Sequence, residues 1–166
     1  MLALLNRFFV FSAVLLLSAC TIQLAPDYDE ALVDRLDVAN TQALTHFAAV
    51  QDGSPQEEFG QYENRYSMLI GEFAALKQRA ETRQTPPLAS KLTKIKFLST
   101  FCNVKVDASS CVNASPASLQ SVIDVMSRMR RTHKNIGLTA DLVTGFETAY
   151  ETAIKQALTV ERALKR

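Results

Sequence analysis

The chain has 166 residues, and its 18 lysines and arginines nearly balance its 17 aspartates and glutamates. Nucleic-acid binding draws most of its affinity from the neutralisation of phosphates, so this balance argues against a nucleic-acid partner. The sequence contains no internal repeat and no low-complexity tract. Its length therefore predicts a single domain, large enough to bury a core of its own.

The N-terminal segment combines one basic residue, Arg7, with an uncharged run over residues 8–19. At about 1.5 Å per helical residue, this run is too short to cross a hydrocarbon core of about 30 Å. A basic start followed by a short apolar run is typical of a cleaved export signal. We therefore predict that residues 1–19 form a signal peptide and not a transmembrane helix.

The end of this segment places Leu17, Ser18 and Ala19 directly before Cys20. This ending resembles the lipobox of bacterial lipoproteins, and the resemblance covers about the first twenty residues. It implies that the Cys20 sulfur carries a diacylglycerol, that the signal is cut just before it, and that the new amino group is acylated. Two or more acyl chains anchor a protein stably, so residues 20–26 would be a short membrane tether. The alternative is an ordinary signal peptide cut after Ala19, with Cys20 unmodified.

The residue after the cysteine bears on location. In the lipoprotein family, an aspartate there favours retention in the inner membrane of many Gram-negative species. Thr21 occupies that position here, which implies the outer membrane, facing the periplasm. Without residues 1–19 the basic and acidic residues number 17 each, so the lipid would hold the protein without help from a polybasic segment.

The other two cysteines are Cys102 and Cys111. Export to an oxidising compartment favours a disulfide between them, and closing so short a loop would add roughly 2 to 3 kcal/mol of stability. A metal pair or a redox dithiol is the alternative. Because the chain has two histidines and no C-x-x-C motif, we predict a structural disulfide and neither a metal nor a cofactor.

Apolar residues recur at helical spacing in the first half of the domain. A first helix, with acidic residues at its start, has an apolar face made of Tyr28, Leu32, Leu36, Ala39, Ala43, Phe47 and Val50. A second helix is predicted from Pro55 to about Arg83, with Ser54 as its N-cap. Its seam alternates steps of three and four residues, as in helical bundles, and comprises Phe59, Tyr62, Tyr66, Leu69, Phe73, Leu76 and Ala80.

Three further helices are predicted in the second half. A short third helix follows Pro86 and Pro87, with a face made of Leu88, Leu92, Ile95, Leu98 and Phe101. A fourth begins at Ser115 and stops at Gly137, with a face made of Leu119, Val122, Met126, Met129 and Ile136. A fifth is capped by Thr139, with a face made of Leu142, Phe146, Ala149, Ala153, Ala157, Val160 and Leu164.

No segment shows strand-type alternation, so the predicted fold class is all-α. Each apolar face needs a partner, and the short connections favour antiparallel neighbours. We therefore predict that residues 27–166 form one up-and-down bundle of four to five helices.

One charged cluster is a candidate binding site: Arg128, Arg130, Arg131 and Lys134 surround His133. Such a cluster could bind an anion, such as a phosphate or a lipopolysaccharide head group, or a partner protein. The alternative is that these cations complement the dipole near a helix C-terminus. His46 has no carboxylate at helical spacing and is interpreted as structural.

Two sets of residues bear on an internal pocket. Met126, Met129, Phe97, Phe101 and Phe146 could line an apolar pocket, although core packing explains them equally well. Gly71 and Gly145 interrupt long helices at a cost near 1 kcal/mol each. Each glycine is expected to permit a close helix crossing or, alternatively, to leave room for a ligand.

The sequence lacks the motifs of common catalytic and phosphate-binding sites: no Glu-x-x-His, no phosphate-loop glycines and no G-x-S-x-G. The favoured hypothesis is a non-enzymatic envelope lipoprotein that binds another protein, as an assembly factor, accessory subunit or inhibitor. The alternative is a module that binds a small apolar or lipid ligand inside the bundle, which requires a cavity near Gly71, Gly145 and the methionines.

Overall fold

The computed structural model describes residues 24–92 and 112–165. In chain order its elements are α1 (Glu30–Ala49), β1 (Gly53–Ser54), a 3-10 helix (Gln56–Glu58), α2 (Phe59–Glu81), α3 (Pro87–Leu92), α4 (Ser115–Ile136), β2 (Leu138–Thr139) and α5 (Ala140–Ala163). The predicted signal peptide, the lipidation site Cys20, and both Cys102 and Cys111 lie outside the described residues, so these predictions stay untested.

The four long helices form an up-and-down bundle. Both α1 and α4 pack against α2 and α5. Helices α1 and α2 run antiparallel, since Asp29 and Arg35 at the start of α1 pair with Arg79 and Glu72 of α2. Helix α4 is antiparallel to α2 as well, because Arg130 pairs with Glu63 near the start of α2. The predicted all-α fold is confirmed. We call the end where α1 begins and α2 ends the base, and the opposite end, where α1 ends and α2 begins, the top.

Most of the predicted apolar faces are buried. In α1 and α2 the seam residues that are no more than 8% exposed are Leu32, Leu36, Ala39, Ala43, Phe47, Phe59, Tyr66, Leu69, Phe73, Leu76 and Ala80. Burying a leucine or phenylalanine side chain contributes about 1.5 to 3 kcal/mol. The α1 and α2 faces therefore account for a large share of the stability, as the spacing predicts.

The faces of α4 and α5 differ from the prediction. Ile136 is 72% exposed, and the buried position in the last turns of α4 belongs to His133. In α5 Leu142 is 37% exposed, and the residues that enter the core are Val143, Tyr150, Ala153, Ile154, Ala157 and Glu161. The buried face of α5 is therefore rotated about the helix axis relative to the predicted one. It includes Tyr150, which is 0% exposed and whose ring contacts Phe47 and Phe73.

Two of the helices, α1 and α5, begin with a side chain that caps the backbone. Asp29 accepts a hydrogen bond from the Leu32 amide at 3.1 Å, and Thr139 accepts one from the Leu142 amide at 3.3 Å. Each satisfies an amide that has no partner within its helix. Thr139 was predicted as the cap of the fifth helix, and this is confirmed.

The predicted start of the second helix is wrong. Pro55 has an extended backbone, the 3-10 helix follows it, and α2 begins only at Phe59. Ser54 is not an N-cap, because its backbone belongs to β1 and its hydroxyl donates to the Glu58 carboxylate at 3.0 Å. Pairing with β2 holds this segment extended and so delays the helix.

The two loops at the top are joined by this short antiparallel pair. Gly53 lies opposite Thr139, and Ser54 lies opposite Leu138. We call these four residues the loop clamp. Gly53 and Gly137 have φ values of 96° and 77°, in a region that L-residues with a side chain rarely adopt. The clamp therefore depends on glycine at both positions.

Gly71 and Gly145 have neither of the roles predicted for them. Both are exposed, and a Cβ atom added at either position would meet nothing within 4 Å outside its own helix. They lie on outer helix surfaces, so they neither permit a close crossing nor leave room for a ligand between helices. Both predicted roles are therefore wrong: the buried face of α2 passes through Leu69 and Phe73, so Gly71 lies on the opposite side of the helix.

Candidate functional site

The top of the bundle contains a buried cluster of polar rings. His46 of α1, Tyr66 of α2 and His133 of α4 are all 0% exposed. The ring centroids of His46 and Tyr66 lie 4.3 Å apart, edge to face, and the Tyr66 hydroxyl lies 3.2 Å from Nδ1 of His133. The rings of Phe59 and Tyr62 pack against His133 at 5.5 Å. We call His46, Tyr66 and His133 the ring cluster.

Burial keeps the ring cluster uncharged at neutral pH. Desolvation lowers the pKa of His46 to about 4, and the Arg65 and His133 charges add to this effect. Desolvation also lowers the pKa of His133, against the opposing effects of the Pro55 carbonyl and the Glu58 carboxylate. It raises the pKa of the Tyr66 hydroxyl, as the neighbouring Tyr62 also does. A neutral Tyr66 can then donate its proton to Nδ1 of a neutral His133.

This cluster was not predicted as a unit. His46 was interpreted as structural, and its complete burial agrees with that interpretation. His133 was grouped with the neighbouring cations, but it points into the bundle, away from them. A signal was present, because His133 follows Met129 by four residues and so continues the buried face of α4. Its contact with Tyr66, 67 residues away in the chain, could not be read from spacing.

The predicted cationic cluster divides into two kinds of residue. Arg128 and Arg131 are exposed on the outer side of α4. Arg130 instead donates to the Glu63 carboxylate of α2 at 3.0 Å, and Lys134 lies 5.8 Å from the centre of the Phe59 ring. Arg130 and Lys134 thus hold α4 to elements at its flank. Arg128, Arg131 and Lys134 are the exposed members of the cluster.

The base is held by two ion pairs between distant parts of the chain. Arg83 donates to both oxygens of Glu161 at 2.9 and 2.7 Å, and their side chains are 8% and 1% exposed. Arg79 makes a two-pronged pair with Asp29, which lowers the pKa of that carboxyl. The first pair joins the end of α2 to the end of α5, which lies diagonally across the bundle.

A cleft of about 610 Å³ opens at the base beside these pairs. It is lined by Asp27, Tyr28, Asp29, Glu30, Ala31, Asp34, Arg83 and Gln84. Four of the eight lining residues are acidic, so this cleft suits a polar or cationic group better than an apolar ligand. The base is therefore acidic on this side, whereas Arg128 and Arg131 make the outer side of α4 basic toward the top.

Of the residues expected to line an apolar pocket, the three that the structure describes belong to the core or pack against it. Met126 and Met129 are 0% exposed within the core, and Phe146 is a half-buried residue packed against it. Core packing, the alternative interpretation, accounts for these three. Phe97 and Phe101 lie outside the described residues.

Within the described ranges, no group of three or more histidine, cysteine, aspartate or glutamate side chains is arranged to hold a metal ion. No helix in residues 24–92 or 112–165 is both long enough and apolar enough to cross a bilayer.

The chain matches one family model over residues 8–165, nearly its whole length, and it therefore belongs to that family, which is described as "Protein of unknown function (DUF3053)". No curated protein and no solved structure matches the chain.

Proposed function

We propose that this member of the family is a lipid-anchored protein of the bacterial cell envelope that binds another protein and is not itself an enzyme. The observation that carries the proposal is the Leu17–Cys20 sequence, which ends a short uncharged run as a lipobox does. In this proposal Cys20 holds the protein on the periplasmic side of the outer membrane, and the helical bundle is the part that meets the partner.

The short tether between Cys20 and the bundle favours one orientation of the bundle on the membrane. Only residues 21–29 separate Cys20 from the first residue of α1. At about 3.3 to 3.6 Å per residue, this tether reaches roughly 30 Å when fully extended. The base would then be the end nearest the anchoring membrane. The top would project away from it by a further 30 Å or so, the length of a 20-residue helix.

This orientation favours a protein partner over the anchoring lipids as the ligand of the basic face. Arg128 and Arg131 lie in the C-terminal half of α4, the half nearer the top. A partner with an acidic surface would be attracted to these exposed cations. Charges at the rim of an interface mainly increase the association rate and the specificity.

The non-enzymatic part of the proposal is supported by the burial of the ring cluster. Its two histidines and its tyrosine are the residues best suited to acid–base chemistry, but none has exposed surface. A general acid or base has to approach within hydrogen-bonding distance of its substrate. In the closed bundle these side chains stabilise the core and are not accessible to a substrate.

Replacing Cys20 by serine tests the anchor. We expect the variant to lose incorporation of a fatty-acid analogue and to remain as precursor or leave the membrane fraction, because serine offers no thiol to acylate. Metabolic labelling and fractionation of the two forms measure this. Cys102→Ser/Cys111→Ser is the matched control, and it should keep the label. Equal labelling of the wild type and Cys20→Ser would rule out lipidation at Cys20.

Charge reversal on α4 tests the partner surface. We expect Arg128→Glu/Arg131→Glu to reduce cross-linking of the anchored protein to its envelope partner several-fold while helicity by circular dichroism stays unchanged, because exposed charges contribute little to stability. The matched control is Lys155→Glu/Arg162→Glu on α5, where both side chains are also exposed. If both double variants keep the cross-link, the basic face is not the contact surface.

A further inference from the structure

The ring cluster combines two titratable side chains that the bundle buries. Both ring nitrogens of His46 lack a hydrogen-bond partner among the described residues, whereas His133 meets the Tyr66 hydroxyl and the Pro55 carbonyl. His46 and His133 are also the only histidines in the sequence. A neutral imidazole tolerates this environment at a modest cost, but an unpaired buried cation does not.

If His46 were protonated, none of the groups that face it would neutralise the new positive charge. From α2 come Arg65, Tyr62 and Tyr66, and from α4 comes the other histidine. Arg65 would repel an imidazolium at His46, and the two tyrosines cannot neutralise it. Near His133, the Pro55 carbonyl and the Glu58 carboxylate both favour a proton, but desolvation outweighs them. Lys134, the next residue in the chain, lies over the neighbouring Phe59 ring.

The loop clamp lies directly next to the ring cluster. The Gly137 amide donates to the His133 carbonyl at 3.0 Å, and Leu138 follows Gly137 into β2. On the other side, Pro55 and Glu58 connect β1 to the start of α2. A pair of two-residue strands adds little stability of its own, so the clamp depends on the packing of the rings beside it.

The base has a different chemistry. It is held by the Arg83–Glu161 and Arg79–Asp29 pairs, and Arg79 lowers the pKa of the Asp29 carboxyl. Both histidines of the chain lie at the top, so mild acid should act mainly on that end. Opening one segment of low local stability requires less free energy than global unfolding. We therefore expect the top to open locally before the rest of the bundle unfolds.

We propose that His46, Tyr66 and His133 form an acid-sensitive latch: protonation of the histidines releases the loop clamp and the adjoining helix ends, while the base half of the bundle stays folded. Opening would hydrate the imidazolium groups and expose the aromatic rings of Phe59, Tyr62 and Tyr66. This inference concerns the bundle alone and does not depend on the lipid anchor or on a partner.

The direction and size of the effect follow from linkage. A histidine whose pKa is about 4 when buried and about 6.5 when hydrated binds more protons in the open state. Opening is therefore favoured as the pH falls from about 6.5 toward 4, and closure is fully stable above that range. For His46 alone, the ratio of open to closed molecules should rise about 20- to 30-fold between pH 7 and pH 5.

Amide hydrogen exchange, measured at pH 7 and pH 5 and corrected for intrinsic rates, tests the proposal. Protection at residues 53–59 and 133–143 should fall about 20-fold or more at pH 5. Protection at residues 73–80 and 153–158, near the base, should change much less. Carboxylates with ordinary pKa values remain charged at pH 5, so this comparison isolates the histidines. Equal loss at the two ends would overturn the proposal.

Variants connect the response to the cluster. His46→Gln/His133→Gln replaces both imidazoles by groups that do not titrate, and the top should then keep the same protection at both pH values. Lys134→Gln is the matched control, and it should retain the acid response. NMR titration of the wild-type imidazoles needs no variant: a His46 midpoint well below 6, with top amide signals shifting in parallel, supports the latch. A His46 midpoint near 6.5 would overturn it.

Discussion

Replacing Arg83 by methionine is expected to destabilise the protein by about 3 to 5 kcal/mol, because the change leaves Glu161 buried without its partner. Glu161 is 0% exposed, and both of its carboxylate oxygens accept hydrogen bonds from Arg83. For a chain of this size the melting temperature should fall by roughly 10 °C or more. Urea denaturation followed by circular dichroism measures the free energy of unfolding directly.

The neighbouring residue provides a matched control. Arg162 pairs with Asp37 of α1, but their side chains are 61% and 48% exposed. Exposed ion pairs are worth about 0 to 1 kcal/mol, so Arg162→Met should cost no more than that. If Arg83→Met and Arg162→Met lower the free energy of unfolding equally, the large cost expected for leaving Glu161 buried without its partner is contradicted.

A double variant separates the unpaired charge from a general loss of packing. Arg83→Met/Glu161→Leu removes both charges, and it should recover most of the lost stability. A double variant as unstable as Arg83→Met would point to lost packing instead.

Replacing Gly137 by alanine is expected to destabilise the protein by about 3 kcal/mol. Its φ of 77° and ψ of −175° lie in a region that is essentially restricted to glycine, where another residue costs about 1 to 3 kcal/mol. An added Cβ would also lie 2.9 Å from the Gln56 amide nitrogen and 3.1 Å from the Ser54 carbonyl. Both are backbone atoms, so the clash can be relieved only by moving the loop clamp. Gly53→Ala should act similarly, since its Cβ would lie 2.7 Å from the Leu138 carbonyl oxygen.

Two other glycines serve as controls, because alanine at either position is expected to stabilise the protein. Gly71 and Gly145 lie in helix interiors with open space around them. Alanine at either position should stabilise the protein by about 0.5 to 1 kcal/mol, because it reduces the freedom of the unfolded chain and favours the helix. Denaturation midpoints of the four alanine variants should therefore fall into two groups. A neutral Gly137→Ala would show that the top tolerates a side chain there.

The candidate sites were predictable to different degrees. The charged run on α4 is visible in the sequence, and Arg128 and Arg131 are exposed as such a run suggests. The engagement of Arg130 by Glu63 depends on which helices are neighbours, and no local pattern gives that information. The same limit applies to the ring cluster, whose members come from three helices, and to Arg83 and Glu161, which are 78 residues apart.

The sequence by itself determined the helices of α1, α2, α4 and α5 and therefore the all-α class, because helical periodicity and capping are local properties. It also determined the inward faces of α1 and α2, where the apolar stripe is continuous. Only the tertiary structure decided the rotation of α5, the inward position of His133 and the burial of Glu161. Each of these polar groups enters the core because a partner from a distant segment, Tyr66 or Arg83, offsets the cost of burying it. The loop clamp is likewise tertiary, since β1 and β2 are too short to pair before the four helices bring them together.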